Sequence, residues 1–468
     1  MGESSANLTA CAPASSSAPS LQFQQATLRL VSRRLLPFLF ILYITSFLDR
    51  VNVGFAALEM NRDLGFGPAV YGFGAGIFFI GYALFEVPSN LILARTGARV
   101  WIARIMITWG LIAAGMMFVR GPLSFYLMRF LLGVAEAGFF PGIIYYLSLW
   151  FPAAVRARMV ARFVIAIPVS AVIGGPLSGA LLGLGGRLGL AGWQWLFLLE
   201  GLPAVALGVT VLRYLPNGPG DASWLEPQQR DWLTARLAAE RDHCLAVHGH
   251  SVRKTLLSPV VWQLGALGFL SISLGQYALT LWLPQIIRGF AGLSNFEVGL
   301  LVAIPNAVAV VAMLFVGVNS DRVGERFWHI AAASFAAAVG LAGAAFATSA
   351  AVAIVFLSLA LAGLLSAHGP FWPLPSKFLT GAAAAGGIAL INSLANLSGF
   401  VGPYAVGILT GATGGFRTGL LALALVPLAG MMLVLQLRHA RVLVPERSDP
   451  GDAAIRPSTT VTRTTTSR

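Results

Sequence analysis

Long apolar stretches alternate with short polar connections over most of this chain, and the alternation repeats twelve times. In the first half the stretches cover roughly 35–55, 71–93, 100–118, 123–149, 160–183 and 193–214. In the second half they cover roughly 259–288, 297–318, 327–347, 351–372, 384–409 and 416–437. About 20 apolar residues in a helix cross the hydrocarbon core of a bilayer, so each stretch predicts one transmembrane helix. The rhythm breaks once, at the polar segment 215–256. There Ser223 and Glu226 have capping-box spacing. Trp232, Leu233 and Leu237 follow at helical spacing, which predicts an amphipathic helix lying on the membrane face. The Ser/Ala/Pro-rich start carries only Glu3 as a charge before Arg29 and lacks the basic start and apolar run of a signal peptide. It predicts a disordered tail. The expected organisation is a tail over 1–30, a six-helix bundle over 31–214, a linker over 215–256, a second bundle over 257–440 and a tail over 441–468.

The two halves repeat. A shift of 227 residues superposes Gly97 on Gly324 and Arg95 on Arg322 in the connections after spans 2 and 8. The same shift superposes Gly175 and Pro176 in span 5 on Gly402 and Pro403 in span 11. One offset that fits connections and spans alike predicts an all-α membrane protein of twelve transmembrane helices in two pseudo-symmetric six-helix bundles. In transporters built on internal repeats, substrate binds between the repeats near mid-membrane.

Composition agrees with this picture. The 468 residues are 57% hydrophobic and 10% charged, against about 25% charged in soluble domains, which excludes a cytosolic enzyme. The net charge of +13 would point to nucleic acid in a soluble protein. Here the basic residues sit in the connections, so they read as orientation signals and no nucleic-acid partner is expected. One face of the membrane receives only Arg62, Arg120, Arg187, Arg288 and Arg417 in its connections. Apart from Arg50 and Arg129, which lie inside spans, the other Lys and Arg fall toward the face that carries both chain ends. That bias places both termini in the cytoplasm. Cys11 and Cys244 lie in polar segments with no CxxC, so neither a disulfide nor a metal site nor a cofactor is expected.

Six ionisable residues stand inside spans: Asp49, Arg50, Glu86, Arg129, Glu136 and Glu200. Each costs about 2.5–3.5 kcal/mol at a helix centre on insertion scales. All six are in the first half. The repeat places Gln276 and Tyr277 opposite Asp49 and Arg50, and Phe356 and Gly363 opposite Arg129 and Glu136. The fold therefore does not require these charges. Arg129 and Glu136, seven apart, share one helix face two turns distant. Asp49 and Arg50 point about 100° apart, so both can border one cavity. Two guanidiniums suit a carboxylate ligand, and buried carboxyls can exchange protons. The competing reading is that the four neutralise one another as buried pairs between helices. For Glu86 both a functional role and pairing with loop arginines stay open, and Glu200 reads as structural. In the second half, Asn392 and Asn396 form a polar patch on span 11. His368 and Trp372 share the same spacing on span 10, and Gln276 and Tyr277 face mid-span 7. Such groups often bond neighbouring helices; the asparagine pair reads as cavity lining.

At these residues the sequence resembles the major facilitator superfamily, and within it the bacterial tartrate, phthalate and hydroxyphenylacetate permease branch of the anion:cation symporter family. The resemblance is carried by TSFLDRVNVGFAA (45–57), GYALFEVPSNLILARTGAR (81–99), RFLLGVAEAGFFPGIIYYLSLWFP (129–152), WQWLFLLEGLPA (193–204), GPFWPLP (369–375) and GIALINSLANLSGFVGPY (387–404). It implies the major facilitator fold in a bacterial inner membrane and import of an organic anion with protons by alternating access. It also implies roles: Asp49 and Glu136 for proton coupling, Arg50 and Arg129 for the carboxylate, and Tyr82, Asn392 and Trp372 for substrate contact. Asn396, Gln276 and His368 join the expected substrate-binding set. The family's loop signature is intact after span 8 as Gly317, Asp321, Arg322, Gly324 and Arg326, which with Arg95 and Arg99 form the expected cytoplasmic gate. After span 2 it is degraded, with Asn90 and Ala94 at its Gly and Asp positions. Phe47 and Ile167 stand where some relatives carry a tyrosine and a glutamine, which favours a smaller or more apolar acid. The expected partners are a small organic anion, protons and lipid, with the chain acting as a monomer. The alternatives are a proton-driven exporter of drugs or metabolites, for which Gly175 and Pro176 offer a partial motif, and a polytopic enzyme. Only His329 and His368 of the six histidines lie in or at spans, which leaves an enzyme little chemistry.

Overall fold

A computed structural model describes residues 19–247, 258–290, 292–378 and 381–439. The apolar stretches are helices, as they must be where no water is present to satisfy the backbone. They are α1 (Leu21–Asp63), α2 (Pro68–Thr96), α3 (Ala98–Phe118), α4 (Pro122–Ser148), α5 (Ala153–Leu182) and α6 (Gly192–Tyr214) in the first half. After α7 (Pro227–Val247) come α8 (Pro259–Arg288), α9 (Asn295–Val323), α10 (Phe327–Ala345), α11 (Ala350–Pro375), α12 (Gly381–Thr413) and α13 (Phe416–His439). Among the described residues, 11 of these helices are long and apolar enough to cross a membrane. The starts are written locally. Proline opens α2, α4 and α8, where its missing N–H costs nothing. Ser294 and Glu297 close a reciprocal capping box at α9.

Two boundaries differ from expectation. α1 begins at Leu21, inside the stretch expected to be a disordered tail, because the Ser20 hydroxyl accepts from Phe23 N at 3.2 Å and starts the helix early. Its first turns are held outside the bundle by α7, with the Phe23 and Trp232 rings edge to face at 6.1 Å. α7 itself starts later than the Ser223–Glu226 spacing predicts: Pro227 is its first residue and the Glu226 N–H donates to Gln229 Oε1 at 3.3 Å. α7 docks on the first half through Glu240, which accepts from Ala153 N at 3.0 Å and lies 3.7 Å from Arg156. Residues 1–18, 248–257 and 440–468 lie outside the described residues, as do Cys11 and the Cys244 side chain.

Helix packing repeats with the sequence. α3 packs on α6 as α10 packs on α13, and α2 on α4 as α9 on α11. The halves meet along three seams, α2 with α12, α5 with α9 and α1 with α8. Glycine brings the seams to backbone contact. A Cβ at Gly72 would stand 2.6 Å from Pro403 O, one at Gly407 2.5 Å from Pro68 O, and one at Gly299 2.3 Å from Gly175 O. Such small-residue contacts drive helix association where no hydrophobic effect operates. Polar bonds lock the same end: Asn295 Nδ2 to Glu59 Oε1 at 2.6 Å, Asn61 Nδ2 to Gln285 Oε1 at 3.2 Å, and Tyr71 OH to Leu281 O at 2.8 Å. The molecule is thus sealed at the end carrying the α1–α2 and α8–α9 connections. Toward the other end, Leu84, Phe85 and Leu91 of α2 and Leu314, Phe315 and Val318 of α9 are exposed.

Valine at Gly299 is expected to hold the sealed end open, since overpacking costs about 1–3 kcal/mol. Cysteines placed at Asn61 and Gln285, with Cys11 and Cys244 replaced by serine, would cross-link readily in the parent and several-fold more slowly in Gly299→Val. Equal cross-linking would show that glycine is not what allows the seal.

Candidate functional site

The site grows from α1 and α4. α1 carries Ser46, Asp49 and Arg50 within about one turn, and α4 carries Arg129 and Glu136 on one face. α4 breaks immediately after Glu136. Gly138 takes a left-handed conformation (φ 85°) with Ser89 of α2 packed where a side chain would be, so only glycine fits there. Gly133 and Gly81 let the α2 and α4 backbones touch, which fixes Phe78 at the centre of the site.

Arg50 Nη2 lies 2.5 Å from Glu136 Oε1, and Ser46 Oγ donates to the same oxygen at 2.9 Å. Glu136 is fully buried, and its Oε2 has no hydrogen-bond partner among the described residues. The Arg50 guanidinium also stands 5.1 Å from the Tyr82 ring and 5.5 Å from that of Phe78. It lines a cavity of about 10 Å³ with Phe47, Val51 and Phe79 of the first half and Gln276, Tyr277, Thr280 and Leu281 of the second. That is room for roughly one water. Arg50 and Tyr277 are equivalent positions of the repeat, so the two halves present matching turns to one space.

Asp49 does not border this space. With Arg50 turned to the cavity, the 100° helical step sends Asp49 into the first half, where it accepts from Trp109 Nε1 at 2.6 Å and Asn52 Nδ2 at 3.4 Å. Arg129 does not line the cavity either. It is fully buried, and Nη2 donates to Ala75 O at 3.2 Å. Among the described residues its Nε and Nη1 have no hydrogen-bond partner, and the Phe78 ring lies 5.0 Å away. Phe78 thus contacts both guanidiniums. Mutual neutralisation holds for Arg50 and Glu136, while Asp49 and Arg129 are not ion-paired.

In the second half, Tyr277 OH donates to Asn396 Oδ1 at 3.4 Å, and Asn392 Nδ2 donates across the halves to Glu86 Oε1 at 3.2 Å. Gln276 bonds His368 Nε2 at 2.8 Å. A five-residue π-turn, Phe269–Ser273, immediately precedes this part of α8, as is common at functional sites. Trp372 is exposed, edge to face with Phe371 at 5.4 Å, and lies off the cavity because α11 breaks at that point. Glu200 accepts from Ser178 Oγ at 2.8 Å inside the first half.

Of the residues expected to form the gate, those of the loop after α9 are joined by direct contacts. Arg326 Nη2 meets Asp321 Oδ1 at 3.1 Å, Gly324 ends the helix in a left-handed turn (φ 71°), and Gly369 packs on Gly317. Arg322 is exposed. After α2, Arg95 is exposed, and the Arg99 N–H donates to Asn217 Oδ1 at 3.2 Å. Asn217, from beyond α6, thus holds the turn where the signature's aspartate is missing. Asn217, Ser46, Trp109 and Phe78 enter the site only through the fold. Ser46 alone carried a signal, standing one turn before Arg50 on the same face.

The family model of the Major Facilitator Superfamily matches residues 39–403. A "Putative tartrate transporter" of Agrobacterium vitis is 52% identical over 413 residues, covering 88% of this chain and 91% of that protein. A "Quinolone resistance transporter" of Acinetobacter baumannii is 43% identical over 422 residues, covering 88% and 95%. Among solved structures, a bacterial homolog to the human lysosomal transporter Spinster, inward-facing and unoccupied, superposes with a TM-score of 0.72 at 16% identity. That match covers 92% of this chain and 100% of the other.

Breaking a buried ion pair from one side costs about 3–5 kcal/mol. Glu136→Ala, which strands Arg50, is expected to lower the melting temperature of the purified protein clearly. Glu136→Gln keeps an oxygen for Arg50 and Ser46 and should lower it less. Equal melting of wild type and Glu136→Ala would show that the pair is not a structural contact.

Proposed function

The chain belongs to the Major Facilitator Superfamily, and from that premise we propose that it imports a small organic carboxylate together with protons by alternating access. Membership makes it a polytopic secondary transporter of small organic solutes rather than an enzyme. The proposal adds twelve spans in two bundles, both termini in the cytoplasm, and action as a monomer. The long α12 supplies the twelfth span, and the first bundle reaches back to Leu21. With that orientation the sealed end faces outward.

One observation carries the substrate class. Arg129 is a fully buried guanidinium with two nitrogens unpartnered, one aromatic ring away from the ion-paired Arg50. Unmet buried donors cost about 1–3 kcal/mol each, and more when charged. A carboxylate presents acceptors that match a guanidinium fork, and two arginines suit a dicarboxylate such as tartrate, the acid in the relative's name. In the cycle, a proton arriving on Glu136 frees Arg50 from its partner. The anion docks on Arg50, Phe78 swings aside to admit it to Arg129, and Asn392 and Asn396 close on it from the second half. Asp49, held by Trp109 and Asn52, serves proton passage behind the cavity. The halves then rock about the neutralised site, and the gate at Asp321, Arg322 and Arg326 opens and closes the cytoplasmic end.

A second reading is export of a drug or metabolite, favoured by the 43% identity to the quinolone resistance protein. Two arginines at the site argue against a cationic cargo. Protection of cells from quinolones on overexpression would favour export.

Proteoliposomes with an imposed pH gradient, acid outside, are expected to accumulate one or more members of a panel of small carboxylates headed by tartrate. Arg129→Ala should lower uptake by at least about tenfold, the loss of one charged hydrogen bond. Glu136→Gln should abolish accumulation driven by the gradient. Accumulation untouched in both variants sinks the mechanism.

A further inference from the structure

The α2–α12 seam ends in a contact of a different kind from the rest. Toward the sealed end it is backbone-close, with Pro68 meeting Gly407, Gly72 meeting Pro403 and Gly76 meeting Phe400, and the Phe79 ring then packs on Gly399. Farther along both helices, toward the opposite end, Glu86 Oε1 accepts from Asn392 Nδ2. Glu86 is buried, and its Oε2 has no hydrogen-bond partner among the described residues. None of the ion pairs among the described residues includes it, so the pairing with loop arginines considered from sequence is not made.

The groups facing it come from four elements. Its own helix gives Tyr82 one turn earlier, α1 gives Arg50, α8 gives Tyr277, and α12 gives Asn392 and Asn396. Arg50 is already engaged by Glu136 of α4. Farther along α2, Trp101 of α3 donates to Ser89 Oγ and has Arg104 stacked on its ring at 3.9 Å. Amides and phenols can hydrogen-bond either a carboxylate or a carboxylic acid. Glu136 has a cation in contact, and among the described residues Glu86 has none.

We propose that Glu86 is a further proton-carrying carboxylate of the transport cycle, which releases the Asn392 amide to the substrate when it takes up a proton. The inference rests on the carboxylate-transport reading above. Ionised Glu86 occupies an Asn392 donor and repels an anion arriving beside it. Protonated Glu86 donates instead of accepting, the amide turns to the anion's oxygens, and the repulsion disappears. Proton and anion therefore each strengthen the other's binding. One proton enters on Glu86 with the anion and leaves to the opposite side after it, and the carboxylate returns to Asn392.

Two measurements on the full-length protein test this. In lipid nanodiscs without substrate, pH-difference infrared spectra of the wild type should contain a protonated-carboxyl band that Glu86→Gln lacks. In proteoliposomes, wild-type affinity for tartrate should weaken by about tenfold per pH unit for each required proton lost. Glu86→Gln should lose one such power of ten and bind tartrate more tightly than wild type at alkaline pH. An unchanged infrared difference spectrum, or an unchanged pH slope, overturns the proposal. If Glu86→Gln does not fold, Glu86→Asp should move the band and its midpoint, and an unmoved band counts against Glu86. Should the wild type move no carboxylate at all, the transport reading falls, while the infrared comparison still decides whether Glu86 exchanges a proton.

Discussion

The contact between Arg50 and Glu136 organises everything around it. Two full charges have been taken out of water and set 2.5 Å apart between α1 and α4. In such a place attraction barely repays desolvation, and removing one partner is far costlier than removing both. The pair is therefore a poor choice as a structural bolt and a good choice as a switch. Anything that neutralises one member, a proton on the carboxylate or an anion on the guanidinium, changes the energy of the whole site. Ser46 supports the carboxylate, and the broken turn at Gly138 interrupts α4 just beyond it. The rings of Phe78 and Tyr82 face the guanidinium.

The close packing of the helices elsewhere rests on small residues rather than on buried ion pairs. The seams are glycine against backbone, and the position equivalent to Glu136 in the second half shows what the helix requires for packing alone. Gly363 sits there, where a Cβ would lie 2.5 Å from the Ala333 carbonyl of α10. The repeat thus carries its own control. The same place in the fold is filled by the smallest residue in one half and by a buried carboxylate in the other.

This explains which features were legible in the sequence. Helices and their order could be read because hydrocarbon leaves the backbone no other choice, and the 227-residue offset survives as paired packing of α3 on α6 and α10 on α13. The identities of the buried charges were legible for the same reason, since each is an exception to the apolar rule. Their partners were not. Whether Asp49 or Arg50 meets the cavity depends on helix rotation, which an apolar-all-round helix does not encode. Trp109, which takes up Asp49, looks like any other apolar residue of α3. Phe78 separates Arg129 from the cavity only because Gly81 and Gly133 bring α2 and α4 together. Trp372 falls off the site because α11 breaks beside it. The starts of α1 and α7 moved through single caps at Ser20 and Glu226, whose strength depends on which neighbours dock.

The division of labour between the halves has a physical consequence. The first half supplies the ionisable groups in contact with the site, and the second supplies amides, a phenol and an imidazole that can donate or accept. A group fixed in charge commits to one ligand state, whereas an amide such as Asn392 can turn to serve a carboxylate, an acid or a hydroxyl. In the alternating-access reading proposed above, relative movement of the halves lets the neutral half exchange partners at less electrostatic cost than the Arg50–Glu136 pair, which has to be neutralised before it opens. Glu86 is the one carboxylate whose described hydrogen bond crosses that boundary near the cavity, so it is the charged group most directly exposed to the motion. A repeat that began with two equal halves can in this way concentrate recognition of charge in one and adaptability in the other, with the same helices carrying both.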